Sequence, residues 1–294
     1  MERVILGIDI GGTWFRIGAV DRKGQIFTFE KLPVKQIFSG RDPLGELEGL
    51  LKRYLTAWKA AGVCIGVPAT VDAKQKRVLQ APNLPYLEDL PLVEVLEEKL
   101  GIPVFLDRDV NFTMAYDCRE LPKEGIHCGF YFGTGIGNAI MLDGKLLRGK
   151  NGTAGELGHI PVDGHTEICG CGNTGCIEPL AGGKFLARLQ KEAFPDTPME
   201  ALFTRHGQDA YLQRFVDRMA IAVATEVNLF DPDTVLLGGG VIAMEDFPRQ
   251  TLVERIYVHA RKPFPANGLD VRFSPDFEEK TVLGAGLYGW NCIK

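Results

Sequence analysis

The sequence predicts an α/β protein built from two structurally related halves. Two observations carry this. Residues 129–147 repeat the glycine-punctuated meander of the first thirty residues, and helical and strand-like patterns alternate along the rest of the chain. The 294 residues, 45% hydrophobic and 24% charged, suffice to bury a substantial core as one large domain or two moderate ones.

Apolar runs at 4–10, 14–20 and 25–29 are separated by Gly11-Gly12-Thr13 and Asp21-Arg22-Lys23-Gly24. This is a β-meander with polar, glycine-bearing turns. Asp42 and Pro43 then open an amphipathic helix, with Leu44, Leu47, Leu51, Leu55 and Trp58 at helical spacing and Gly62 after its end. A buried strand at 63–67, a proline-rich connection at 82–85, a helix at 92–100 stopped by Gly101 and a strand at 103–106 follow. The second meander runs 129–132, a turn at Gly133-Thr134-Gly135, 137–142, and a turn at Asp143-Gly144. Beyond it, helices are expected at 178–192, 210–230, 251–260 and 283–292, and a strand at 234–237.

The net charge of -5 provides no general attraction to phosphate polymers or anionic lipids, so neither nucleic acid nor a membrane is an expected partner. The opening MERVILGIDIGGT lacks the pattern of a secretory signal, and no apolar window reaches bilayer length. A cytoplasmic location is expected. Seven cysteines without an export signal make a disulfide framework a poor explanation. Cys64, Cys118, Cys128 and Cys292 are scattered and receive no role.

Three glycine clusters are candidates for anion binding. Asp9-Ile10-Gly11-Gly12-Thr13 lies in a tight turn where backbone amides can cradle a phosphate, with Asp9 holding Mg²⁺ through water and Thr13 donating its hydroxyl. The alternative is a hairpin turn that needs glycine for a positive φ. The second loop, Gly133-Thr134-Gly135-Ile136-Gly137, resembles a dinucleotide fingerprint in its glycines, but a strand rather than a helix follows it. The P-loop signature is absent. Gly238-Gly239-Gly240 ends a strand, where it either passes a nucleotide's adenosine or simply turns the chain into a helix.

Asp9-Ile10-Gly11-Gly12-Thr13, Gly133-Thr134-Gly135, Gly155-Glu156-Leu157-Gly158-His159 and the run from Cys169 to Cys176 together resemble the ROK family of sugar kinases and repressors, nearly end to end. The resemblance implies an actin-like (ribonuclease H-like) duplicated fold, in which two α/β domains close over a central cleft holding sugar and ATP. It would assign residues 1–110 plus a C-terminal helix at about 282–294 to a small N-terminal domain, and 111–281 to a larger C-terminal domain. The implied reaction moves the terminal phosphate of ATP, with Mg²⁺, onto the 6-hydroxyl of a hexose, in a homodimer. Arg108-Asp109-Val110-Asn111, residues 228–233 and Phe247-Pro248-Arg249 are similar to members that phosphorylate D-allose. Glucose, N-acetylmannosamine and fructose are the alternative acceptors.

Cys169, Cys171 and Cys176, with His159 upstream, supply the Cys₃His set of a closed, structural Zn²⁺ site. Such a metal would pin residues 152–176, a stretch of seven glycines and few hydrophobes. A redox pair would instead place Cys-x-x-Cys at a helix start, which is not the pattern here. The resemblance adds that His159 also touches the sugar through the ring nitrogen that the metal leaves.

Asp109 matches the family's catalytic aspartate. Phosphoryl transfer needs a carboxylate that orients the attacking hydroxyl and takes its proton. With a reference pKa of about 4 an aspartate is a weak base, so orientation contributes more than basicity. Without the resemblance, an Asp beside Arg108 reads as a solvated salt bridge. Glu156, His159 and Glu178 match positions that hydrogen-bond sugar hydroxyls, the two acids otherwise being ordinary exposed groups. Asn83 is a further sugar contact or a turn former. Arg108 stands where the family usually has asparagine, which marks it as a specificity residue, and Ala69 replaces a common glycine. The rival from another class is a non-catalytic, sugar-sensing regulator. Repressors of this kind carry a DNA-binding module ahead of the first glycine loop, whereas eight residues precede Asp9 here.

Overall fold

The computed structural model describes residues 2–293. Contacts divide the chain into two compact units, one of residues 1–121, 148–154 and 277–294, the other of 122–147 and 155–276. The first unit begins with β1 (Arg3–Ile10), β2 (Trp14–Val20), β3 (Ile26–Pro33), α1 (Val34–Ile37), α2 (Pro43–Ala57) and β4 (Lys59–Val67). A small hairpin of β5 (Thr70–Val71) and β6 (Val78–Gln80) follows, then α3 (Leu92–Leu100), β7 (Val104–Arg108) and α4 (Asp109–Asp117). The second unit contains β8 (Ile126–Phe132), β9 (Ile136–Leu142), β10 (Lys145–Leu146), α5 (Glu178–Ala181), α6 (Gly183–Ala193), α7 (Leu202–His206), α8 (Ala210–Phe230), β11 (Thr234–Gly238), α9 (Gly240–Ala243), α10 (Arg249–His259) and β12 (Val271–Phe273). Helix α11 (Lys280–Cys292) returns to the first unit.

The duplication is exact in strand order. One five-stranded sheet runs β3-β2-β1-β4-β7 and the other β10-β9-β8-β11-β12. In each, an antiparallel meander of three strands is extended by two parallel strands. In β1, Val4, Leu6, Ile8 and Ile10 enter the core formed with α2 and α3, whereas Ile5 joins Phe112, Ala285 and Trp290 of α4 and α11. That alternation, with both faces covered, makes β1 a near-continuous apolar run. The second unit packs Phe130 and Phe132 of β8 against Phe215, Met219 and Val223 of α8, spaced four residues apart on one helical face. Full burial of each phenylalanine contributes about 1.5–3 kcal/mol.

Local signals explain most boundaries. Asp42 caps α2 by accepting from Gly45 N at 2.9 Å, and Pro43 occupies the first turn. Gly101 ends α3 in the left-handed region at φ 69°.

Two expectations need correction. The helix expected to run to Gly62 stops at Ala57, and β4 begins at Lys59. Residues 59–62 are extended because they pair with β1 from Arg3 onward, and Gly62 lies inside the strand, where a Cβ would stand 3.0 Å from the Pro103 carbonyl oxygen. The helix expected at 178–192 is split at Gly182, whose absent Cβ would fall 3.1 Å from Gly135 Cα. The first compact unit continues to residue 121, where α4 packs on α11 and β4, and takes in 148–154, which Arg148 and Arg108 bond to it at Asp107 and Ala154.

Candidate active site and metal centre

The first glycine loop joins β1 to β2, closed by Gly11 N donating to Trp14 O at 2.8 Å. Neither Gly11 nor Gly12 has a positive φ, so the hairpin explanation for them fails. Close approach replaces it, since a Cβ on Gly12 would lie 3.2 Å from Asn83 Cβ, which places Asn83 beside the loop. Gly12 and Thr13 are exposed. Asp9, at the end of β1, is 7% exposed and accepts from Arg16 Nη1 at 2.8 Å. Its carboxyl is pushed up to about 7 by burial and by the charge of Asp109, against the lowering effect of Arg16.

Asp109 is the first residue of α4, just beyond the carboxyl end of β7. Strand β7 extends two residues further than expected, so Arg108 is its last residue. Arg108 is buried, and its Nη2 donates to Ala154 O at 2.9 Å. Gly66, between Asp9 and Asp107 in the sheet register, lets α4 approach: a Cβ there would stand 3.3 Å from Asp109 Cα.

In the second unit the Gly133–Gly137 segment leads from β8 into β9, and Gly238-Gly239-Gly240 leads from the last residue of β11, the parallel neighbour of β8, into α9. The two glycine segments therefore emerge side by side at the carboxyl ends of paired strands, where α/β sheets bind ligands. Gly239 has φ 93° and a Cβ on it would strike the Phe132 backbone, so no other residue fits that turn. Carbonyl oxygens of Gly133 and Thr134 accept from Gly183 N (2.8 Å) and Lys184 N (3.0 Å) at the start of α6, which is what the break at Gly182 provides. Glu178 accepts from Ile136 N at 2.9 Å, and its Oε2 would lie 2.3 Å from a Cβ on Gly135 and 3.2 Å from one on Gly158. Its carboxylate thus bonds the glycine loop and lies close against Gly158 of the Gly155–His159 segment.

His159 Nδ1 lies 3.5 Å from Cys169 Sγ, and Cys171 Sγ lies 3.7 Å from Cys176 Sγ. The ligand atoms of all four residues lie within 4.8 Å of one another. A tetrahedral Zn²⁺ with Zn–S of about 2.3 Å and Zn–N of about 2.05 Å has edges of about 3.8 Å (S···S) and about 3.6 Å (N···S). The donor set fits that metal, whereas a disulfide requires about 2.05 Å. The loop is held by Cys169 N to Asn173 O (2.8 Å) and Gly175 N to Glu167 O (2.9 Å). The other ring nitrogen of His159, Nε2, faces Glu156 Oε2 at 3.6 Å.

Sequence reasoning missed Arg16, Asp107 and Arg148. Arg16 was within reach, because it stands opposite Asp9 across a hairpin and pairs of opposite charge stabilise such positions. Arg148, which donates to Asp107 at 2.6 Å, is separated from it by 41 residues and carries no local signal.

A repeated five-stranded sheet with a glycine-bearing loop after the first strand of each copy defines an actin-like, duplicated α/β protein, here with a Cys₃His cluster. The model of the ROK family matches residues 5–288, and the chain belongs to that family. It is 27% identical to a glucokinase of Thermotoga maritima, covering 96% of this chain and 95% of the relative. It is 31% identical to an N-acetylmannosamine kinase of Salmonella typhi, over 96% and 97% respectively. Among solved structures, a ROK family glucokinase from Streptomyces griseus in complex with glucose and AMPPNP is 25% identical, with a TM-score of 0.76 over 96% of this chain and 98% of that one.

Proposed function

We propose that this chain is an ATP-dependent hexose kinase that phosphorylates the 6-hydroxyl of D-allose. The observation that carries the reading is the position of Asp109 at the head of α4, just beyond the carboxyl end of β7, with the buried Asp9 in register with Gly66 and Asp107 across the same sheet. Asp109 orients the attacking hydroxyl and accepts its proton as the bond to phosphorus forms. Gly11, Gly12 and Thr13, and likewise Gly133, Thr134, Gly135 and Gly137, would offer amides and hydroxyls to phosphate oxygens, with Gly238-Gly239-Gly240 against the adenosine. Asp9 would hold Mg²⁺ through water, and two neighbouring carboxylates suit a divalent cation. Mg²⁺ supplies positive charge over the phosphate oxygens during transfer.

Asn83, Arg108, Glu156, His159 and Glu178 would bind the sugar. A Zn²⁺ held by His159, Cys169, Cys171 and Cys176 would have no open position and would be structural. With Nδ1 on such a metal, the His159 proton would reside on Nε2, which would donate to a sugar hydroxyl next to the acceptor Glu156. D-allose is favoured by the likeness around Arg108 and Asp109, and glucose, N-acetylmannosamine and fructose are the competing acceptors. Among the described residues no helix is long and apolar enough to cross a membrane. A cytoplasmic homodimer is the proposed state, to be tested by light scattering.

Hexose-dependent ADP release, measured with Mg²⁺ and ATP across these four sugars, tests the proposal. D-allose should give the highest kcat/KM. Sugar binding with no turnover on any of them would favour the non-catalytic, sugar-sensing regulator instead.

A further inference from the structure

We infer that Asp107 is a positioning residue for phosphoryl transfer, with Arg148 as its counter-charge. This rests on the kinase reading of Asp109. Asp107 is 3% exposed, and four donors converge on its carboxylate. Oδ1 accepts from Arg108 N at 2.9 Å and Asn111 Nδ2 at 2.7 Å, and Oδ2 accepts from Gln75 Nε2 at 2.9 Å and Arg148 Nη2 at 2.6 Å.

The arrangement answers a local problem. Helix α4 starts at Asp109, and its N-cap residue is Arg108, which makes no side-chain capping bond. A guanidinium has no acceptor to offer helix amides. Asp107, one residue earlier, accepts instead from the N-cap amide and from the Asn111 side chain in the first turn. Its negative charge also suits a helix N-terminus. Asp109 Oδ1 accepts from Val110 N at 2.7 Å, so its carboxylate is referred to that same turn. Whatever tilts the turn moves the carboxylate that must aim the hydroxyl.

Arg148 completes the device. Its Nη2 also donates to Tyr288 OH at 3.0 Å. Residues 148–154 form a short strap closed by Ala154 N to Arg148 O at 3.0 Å, and Arg108 Nη2 holds the Ala154 carbonyl at its other end. Two arginines thus pin the strap to the head of α4, and the strap continues in sequence into Glu156 and His159. Gln75 is a non-glycine residue held at φ 56°, and such strain persists where surrounding structure over-determines it.

An ordinary buried ion pair would affect folding alone, and a positioning role predicts more. The test compares Asp107→Asn, Arg148→Met, Arg148→Lys and the double variant Asp107→Asn/Arg148→Met with wild type. Steady-state rates, calorimetric affinities for hexose and AMP-PNP, and thermal melts are the readouts. Asp107→Asn and Arg148→Met should each lower kcat by about ten- to hundredfold. Hexose and AMP-PNP affinities should stay within about twofold of wild type. Arg148→Lys should recover most of the loss, and the double variant should be no slower than the worse single one. Wild-type kcat in Asp107→Asn, or losses that multiply in the double variant, would overturn the inference. If Asp107→Asn does not fold, wild-type kcat in Arg148→Met overturns it equally. A wild type without hexose-dependent turnover sinks the kinase reading and this inference with it, whereas an active wild type matched by the variants sinks this inference alone.

Discussion

Arg16 and Asp9 face each other across the first hairpin, with Nη1 donating to Oδ2 at 2.8 Å. This bond is too weak to keep the Asp9 carboxyl in its ordinary range, because burial and the nearby Asp109 charge push it up to about 7.

A pH dependence of nucleotide binding follows. The folded-state value of Asp9 lies above its unfolded value, so folded protein holds the proton between about pH 4 and about pH 7. Its contribution to stability declines across that window and is flat above it. Binding of a Mg²⁺-nucleotide favours the charged form, so binding at about pH 6.5 should release protons and weaken as pH falls. Calorimetry in two buffers of different ionisation enthalpy checks this. The apparent heats should differ for wild type and coincide for Asp9→Asn, and equal heats for wild type would contradict the assignment.

Glu226 gives a second pH signature, this one in stability. Its carboxyl is 3% exposed, accepts from Asn138 Nδ2 at 3.0 Å and is pushed up to about 7 by burial. The unfolded chain sheds this proton at lower pH than the folded one, so stability falls as pH rises from about 4.5 to about 7, by at most about 3 kcal/mol. Glu226→Gln should therefore melt above wild type at pH 8 and converge with it near pH 4.5. A difference in Tm that does not change with pH would remove Glu226 as the cause.

The Cys₃His cluster predicts about one zinc per chain, lost together with thermal stability when a strong chelator is added. Cys171→Ser should lower metal content, and hexose affinity should weaken because His159 loses the ligand that sets its tautomer. Elemental analysis of the purified protein decides the matter. Protein without bound zinc, yet with an unchanged melt and unchanged hexose affinity, would leave the cluster without its assigned role.

Short-range signals carried much of the fold and the grouping of the Cys₃His residues. The meander repeat at 129–147 anticipated two sheets of one topology, and Cys-x-Cys-x₄-Cys with His159 anticipated four donors in one place. Glycines were the unreliable signal, since a glycine required by a neighbouring backbone is indistinguishable in sequence from one that ends a helix. Gly62 was read as a helix stop and is a close contact within a strand, while Gly182 was read as a helix interior and is a break beside Gly135. Asp107 was hidden for a different reason. Its partners Gln75 and Arg148 come from distant segments, and only the folded chain brings their charges and amides together.

In the proposed reaction Asp109 aims a hexose hydroxyl at the terminal phosphate of ATP. Comparing wild type with Asp109→Asn for hexose-dependent ADP release, alongside calorimetric hexose binding, tests it most directly. The expected result is turnover reduced by at least about a hundredfold with hexose affinity retained. Near-normal turnover in Asp109→Asn would contradict it.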